Sequence, residues 1–312
     1  MYPIRFENLY FEKPWGGRTL GKFRSNLPEG SIGESWDIAC HPNGIGIVAN
    51  GYLKGRSFKE IIEIFEEDLL GKRVPPDRMP LLIKLISARE KLSLQVHPGD
   101  KYAMQYEGEP GKTEAWYVLE AEPQGSLIVG TKDCTREQFI KALEEGKLED
   151  YLNEFPVKQG DCFLINSGTL HAICGGVILV EIQQNSDVTY RVYDYGRPRE
   201  LHLEKALQVI DFDLKAENLS KGLEQPLKNN CWYNICQSEY FSLEKACISG
   251  VLKENSDLNR FSILTCVEGE GLIRGRGFRE RIALGDSYLI PAALGEYQLE
   301  GEATLLKSYP KL

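Results

Sequence analysis

The sequence predicts a mainly β protein made of two all-β units, the first with small helical insertions. Three observations point there. Short β-branched and aromatic runs recur at close spacing between Gly and Pro, the pattern of a barrel or sandwich. Only two segments show helical periodicity, and they do not alternate with the strands, which argues against a doubly wound parallel sheet. Finally, Gln159-Gly160-Asp161-Cys162-Phe163-Leu164-Ile165 is echoed by Leu284-Gly285-Asp286-Ser287-Tyr288-Leu289-Ile290. In each copy a Gly-Asp turn leads into an apolar strand, a weak internal repeat that suggests two related barrels.

In chain order, the expected strands of the first unit are IGIVAN (45–50), LLIKLIS (81–87), EAWYVLEA (114–121), GSLIVG (125–130), CFLIN (162–166), GVILVEIQQ (176–184) and YRVYDY (190–195). The first helical insertion is near 57–70, where Ser57 and Glu60 have capping-box spacing. The second is near 135–154, opened by Thr135 and Gln138 and divided into two short helices at Gly146. Neither insertion carries a chemical motif; both read as packing elements or a lid. The polar stretch 213–231 reads as a linker. Strands then resume in YNICQ, FSLEKAC, RFSILTCVEGEGLIRG, FRERIALGDSYLIPAA and EYQLEGEATLLKSY. The expected organisation is a larger unit at 1–215 and a smaller one at 231–312. After its Gly-Asp phrase the first unit reads Ser167-Gly168-Thr169-Leu170-His171, whereas the second reads Ala292-Ala293-Leu294-Gly295-Glu296. If the folds are alike, only the first holds a metal.

At 312 residues, 42% apolar and 27% charged, the chain can bury one large core or two ordinary ones. Net charge of −9 argues against a nucleic-acid or anionic-membrane partner, whose protein face would be basic. No run approaches the length of a membrane-spanning helix, and the N-terminus has no signal-peptide pattern, so a cytoplasmic location is expected. The eight cysteines, at 40, 134, 162, 174, 231, 236, 247 and 266, include no CxxC pair. They read as reduced, mostly buried thiols. Oligomeric state is left open.

Chemistry concentrates around Lys91-Leu92-Ser93-Leu94-Gln95-Val96-His97-Pro98. Period-two alternation puts Leu92, Leu94 and Val96 on one face, and Ser93, Gln95 and His97 on the other. Gln95 and His97 can therefore aim an amide oxygen and an imidazole at one point. Glu114 begins a strongly apolar strand, where burial costs several kcal/mol unless the carboxylate is paired or metal-bound. His171 follows a strand and a Gly turn. Gln95, His97, Glu114 and His171 form a mixed N/O set suited to zinc or another divalent first-row metal. Taken singly, each histidine could instead be a hydrogen-bonded pocket residue, and Glu114 a salt-bridge partner of Lys112 or Lys84. His41 and His202 have ordinary loop contexts and read as structural.

The order of these residues resembles the cupin superfamily. More narrowly, LSLQVHPGD, GKTEAWYVL, NSGTLHAI, KPWGG and IGESWDIA resemble the type I phosphomannose isomerases in their short bacterial form. The likeness runs from about residue 3 to 200 with specific motifs and continues more loosely beyond. It implies two cupin-type barrels (jelly rolls), one zinc ion per chain on Gln95, His97, Glu114 and His171, and a catalytic arginine at Arg191. It also implies phosphate- or substrate-binding groups at Ser93, Lys84 and Lys112. Arg197 stands where fungal relatives carry a lysine and could grip a phosphate bidentately. Two departures touch no ligand: the family's W-E-x-S reads Trp36-Asp37-Ile38-Ala39, and KTECW carries Ala115.

The implied reaction interconverts mannose 6-phosphate and fructose 6-phosphate through an enediol. Zinc would polarise a substrate oxygen, Arg191 would stabilise the enediolate, and the phosphate grip would position the reacting carbons. The base is open between Glu114, a zinc-bound water and a carboxylate such as Asp187. Two other readings stand beside this one: a non-catalytic sugar-phosphate-binding cupin acting as a sensor, and a cupin oxygenase. The second is weakened because such sites tend to use more histidines.

Overall fold

Residues 81–88, Leu-Leu-Ile-Lys-Leu-Ile-Ser-Ala, are buried throughout. A strand covered on both faces reads as a continuous apolar run, and its single charge marks the face that meets something other than core. The computed structural model describes residues 1–214, 216–222 and 227–312. Residues 215 and 223–226 of the expected linker lie outside the described residues.

The first half supplies β1 (Leu9–Gly17), β2 (Ile32–Ile38), the short hairpin β3 (Cys40–His41) and β4 (Gly44–Ile45), β5 (Leu81–Ala88) and β6 (Leu94–Val96). There follow β7 (Glu114–Ala121), β8 (Ser126–Thr131), β9 (Leu152–Pro156), β10 (Cys162–Ile165), β11 (His171–Ile173), β12 (Val177–Gln184) and β13 (Tyr190–Tyr193). One sheet runs β1-β2-β5-β12-β7-β10 and a second β13-β6-β11-β8-β9. Their facing sides share a core in which Ile86, Trp116, Val118, Phe163 and Leu179 of the first meet Leu127, Val129 and Ile173 of the second. Burying each such side chain stabilises by roughly 1.5–3 kcal/mol.

The helices are α1 (Phe58–Leu70), α2 (Asp100–Tyr106), α3 (Arg136–Glu144) and α4 (Leu203–Val209). Both expected capping boxes form, on Ser57/Glu60 and Thr135/Gln138. Phe139 of α3 and Ala206 of α4 cover the back of the second sheet at Leu94, Val96 and Ile128. Two expectations are corrected. Residues 152–154 continue as strand β9 against β8, because pairing with Ser126–Thr131 outcompetes the helical pattern. Of residues 45–50, only Ile45 lies in a ladder strand, and Ile47 and Val48 make isolated bridges. The Pro-Gly-Asp after His97 opens helix α2, with Gly99 at its N-cap. Helix α4 escaped notice because its apolar period spans under two turns. Among the described residues no helix is long and apolar enough to cross a membrane.

The C-terminal part comprises β14 (Tyr233–Gln237), β15 (Phe241–Asn255), β16 (Ser262–Gly275), β17 (Phe278–Ala283), β18 (Ser287–Ile290) and β19 (Glu296–Pro310). They run β14-β15-β19-β16-β17, with β18 on β16. Gly250, Gly301 and Gly271 sit opposite one another across three strands. A Cβ on Gly271 would come within 2.4 Å of the Glu300 carbonyl oxygen. This glycine row lets the long strands approach closely and bend over their own core of Ile248, Leu264, Ile282, Tyr288 and Leu305.

The repeated phrases have matching geometry. Gly160 and Gly285 both take φ +89°. The carboxylates of Asp161 and Asp286 accept the backbone N–H of Lys158 and Ala283, at 2.9 and 3.0 Å. Each Gly-Asp pair also brackets one residue of a neighbouring strand, Val118 of β7 or Cys266 of β16, with two backbone bonds of 2.9 Å. The outer face of the first sheet, through Leu85, Tyr117 and Val180, packs on Phe241, Phe261, Leu289 and Leu306 of the C-terminal part.

Candidate active site

Alternation decides which side chains enter the space between the two facing sheets. On β6, Leu94 and Val96 join the helix-covered cluster, which turns Ser93, Gln95 and His97 inward. The expected alternation breaks at Leu92, which packs inside with Trp15 and Trp116; the strand begins only at Leu94. Register then aligns the next strands. His171 of β11 stands opposite Gln95, and Arg191 of β13 stands opposite Gln95 from the other side. From the first sheet, β7 presents Glu114 on its inward face with Trp116.

His97, Glu114 and His171 are all buried, and their ligand atoms lie within 4.8 Å of one another. His97 Nε2 is 3.5 Å from Glu114 Oε2, and His171 Nε2 is 3.6 Å from Oε1. Ligands about 2.1 Å from a tetrahedral ion stand about 3.4 Å apart, so these spacings fit a metal. Each Nδ1 is 2.8 Å from a backbone carbonyl, of Val188 for His97 and of Thr169 for His171. A carbonyl can only accept, so each Nδ1 carries the proton and each Nε2 turns a lone pair inward. His97 Nε2 and both Glu114 oxygens are buried without a well-oriented hydrogen bond. Buried acceptors without hydrogen bonds are costly unless cations meet them; Lys112 meets Glu114 Oε2, which leaves Oε1 and His97 Nε2. Burial, with Lys112 adding, pushes the His97 imidazole down to about 3, and burial lowers His171 too. Burial would raise the Glu114 carboxyl, but Lys112 and His97 hold it well below the usual range. Neutral imidazoles facing a carboxylate are the protonation states a divalent metal needs.

Gln95 joins this group less directly. Its amide nitrogen, not its oxygen, stands 3.3 Å from His171 Nε2, while its oxygen accepts from Ser93 Oγ at 3.2 Å. Half a turn of the terminal amide would present the oxygen instead. The salt-bridge reading of Glu114 also holds, since Lys112 Nζ is 3.1 Å from Oε2. The group opens on a cavity of about 250 Å³ lined by Lys84, Ser93, Gln95, Lys112, His171 and Arg191, among others.

Residues 4–124 match the family described as phosphomannose isomerase type I, catalytic domain, and residues 233–310 the one described as mannose-6-phosphate isomerase, cupin domain. The mannose-6-phosphate isomerase ManA of Bacillus subtilis (strain 168) is 37% identical over 316 residues, covering 98% of each chain. The chain belongs to the type I phosphomannose isomerases. The crystal structure of the mannose 6-phosphate isomerase from Bacillus subtilis is similar throughout, with a TM-score of 0.90 at 35% identity and 99% of both chains covered. The mainly β, cupin-containing fold and the enzyme class expected from the motifs are those of this family.

In this chain the cavity wall is more highly charged than the motifs foretold. Lys84 of β5 stands opposite Glu181 of β12, with Nζ 3.5 Å from Oε1, and 4.0 Å from both Glu34 and Asp187. Lys112 Nζ is 3.9 Å from the same Glu181 oxygen, and Trp116 Nε1 donates to Oε2 at 3.0 Å. Burial, with the nearby Glu114 charge, raises the Glu181 carboxyl. Glu181 was missed, although it carries the signal that singled out Glu114: one carboxylate in an apolar run, VILVEIQQ. Lys13, Glu34 and Arg199 also line the cavity without having been foreseen. Arg197 is not among the lining residues. Its guanidinium is held by Asp194 at 3.0 Å, by the Lys91 carbonyl, and by Glu90 at 3.7 Å. His41 bonds Glu109 at 3.3 Å, and His202 accepts the Arg191 backbone N–H at 3.2 Å, in keeping with structural roles.

Proposed function

We propose that this chain interconverts mannose 6-phosphate and fructose 6-phosphate through an enediol, with one zinc ion held by His97, Glu114, His171 and, after rotation of its amide, Gln95. The observation that carries the reading is the pair of inward-facing imidazole lone pairs, set by backbone carbonyls, meeting the buried Glu114 carboxylate at the wall of a cavity that also holds Arg191. When bound, the zinc supplies Lewis-acid polarisation of a substrate oxygen.

The chain's own residues do the rest. Arg191, permanently cationic, stabilises the enediolate; its Nε is buried with no hydrogen-bond partner and so is free to donate. Lys112 and Lys84, buried among carboxylates, hold sugar hydroxyls and offset the negative wall. Ser93 lines the cavity next to Gln95. The proton carrier is a carboxylate at this wall: Glu181, whose buried Oε1 makes no hydrogen bond and lies 3.5 Å from Lys84, joins Glu114 and Asp187 as a candidate. The catalytic unit is residues 1–215, and residues 231–312 form a second barrel without metal ligands. The test is metal analysis with a coupled isomerase assay. About one zinc per chain and metal-dependent turnover are expected. Full turnover by metal-free protein overturns the zinc assignment, and metal without turnover favours the sensor.

A further inference from the structure

On the zinc-dependent isomerase reading above, we propose that Glu109 is a positioning residue of the metal centre. With His41 and Ser186 it holds the loop between β12 and β13 so that the Val188 carbonyl sets the His97 imidazole.

One oxygen of Glu109 gathers three donors. Its Oε2 accepts the Asp187 backbone N–H at 3.1 Å, the Ser186 hydroxyl at 3.4 Å and His41 Nε2 at 3.3 Å. The direction of the last bond is fixed from the far side of the ring. His41 Nδ1 accepts the Asn43 backbone N–H at 3.1 Å, so the proton sits on Nε2 and points at the carboxylate. Ser186 is buried and passes the hold on. Its Oγ accepts the Val188 backbone N–H at 3.3 Å while its hydrogen goes to Glu109. Val188 in turn offers its carbonyl to His97 Nδ1 at 2.8 Å. A continuous run of hydrogen bonds thus links the β3–β4 hairpin to the residue that fixes the tautomer and ring plane of His97.

Other bonds anchor the start of the loop. Asn185 gives Nδ2 to the Cys40 carbonyl at 2.8 Å and its N–H to the Pro80 carbonyl at 2.9 Å. Gln183 Nε2 donates to the Ser186 carbonyl at 2.6 Å. The approach to Val188 depends instead on the Ser186 hydroxyl, and Glu109 is the acceptor that orients it. Removing the Glu109 carboxylate would strand the His41 and Asp187 N–H groups and free that hydroxyl to turn. Location separates Glu109 from the chemistry itself. His41, Glu109 and Asn185 line a second cavity of about 740 Å³ on the outer side of the loop, and none of the three lines the catalytic cavity. Glu109 therefore acts on His97 through the loop and not by contact.

The test is the zinc affinity of the folded full chain, measured by competition with a chromophoric chelator beside a melting curve. Loss of an outer hydrogen-bond partner of a metal ligand costs about 10–100-fold in affinity, and Glu109→Ala should weaken zinc within that range. Glu109→Gln, which keeps an acceptor oxygen, should recover part of the loss. Ser186→Ala should reproduce the Glu109→Ala loss. The double variant should lose no more than either single one, since both cut the same run of bonds. A merely structural role would lower Tm and leave zinc affinity per folded molecule at the wild-type level. That result overturns the proposal, as do additive losses in the double variant. Zinc binding that Glu109→Ala weakens, in a chain whose wild type never turns over mannose 6-phosphate, supports the positioning role and overturns the isomerase reading.

Discussion

Arg191 stands directly opposite Gln95 across the antiparallel pair of β13 and β6, and Gln95 stands opposite His171 across β6 and β11. One row of side chains thus carries Arg191, Gln95 and His171 along the cavity wall. The row holds its order because each neighbour is fixed by a backbone ladder rather than by a flexible loop.

Arg191→Ala should lower kcat by about 100–1000-fold, the usual cost of removing a donor that faces developing negative charge. Metal content, read by elemental analysis, should stay at the wild-type level. Loss of metal in this variant would make Arg191 a structural support of Gln95 instead.

His171→Ala should lose both the metal and the activity, since it removes one of three converging donors. Chelation of the wild-type protein should do the same, and added zinc should restore turnover. A His171→Ala protein that keeps stoichiometric metal and activity would refute the ligand set.

Glu34 sets an acid limit on stability. Burial alone would raise its carboxyl, but Lys84, Lys13 and the Trp36 N–H bring it down from 4.5 to about 2. A depressed folded value contributes stability that is complete above the ordinary carboxylate range and is lost as pH falls from about 4.5 towards 2. The contribution is roughly 3 kcal/mol. Urea titrations between pH 6 and pH 3 should therefore show a shallower loss of stability in Glu34→Gln than in wild type; equal slopes would refute this.

Arg24 ties the two halves together. Its guanidinium pairs with buried Asp37 at 2.6 Å and donates to the Gly285 carbonyl at 2.8 Å. Removing one partner of a buried pair costs about 3–5 kcal/mol because the other charge is stranded. Arg24→Ala should lower Tm by several degrees, while turnover per folded molecule is kept. An unchanged melting curve would show that this junction carries little stability.

Much of the site was readable from residue order. Gln95, His97, Glu114 and His171 sit in motifs whose spacing survives any change of loop, and the structure gathers His97, Glu114 and His171, with the Gln95 amide beside His171. Glu181 and Glu34 were overlooked because a lone carboxylate in an apolar strand does not say which partner it will find. The cap pairs Ser57/Glu60 and Thr135/Gln138 are local contacts and were legible. Residues 152–154 were misread because pairing with a strand more than twenty residues earlier overruled the local pattern.

By itself the sequence determined the mainly β architecture, the family, and the residue types able to hold a metal, because these follow from periodicity and from short motifs. Only the tertiary structure decided which arginine faces the cavity. Two positions separate Arg197 from Arg199, and both lie beyond the register shift after Arg191. There the side-chain direction is set by the buried carboxylate of Asp194 rather than by strand alternation. The tertiary structure also decided that Lys112 neutralises Glu114 while Arg191 keeps a free donor. Such pairings depend on distances between strands far apart in the chain, which no local pattern encodes.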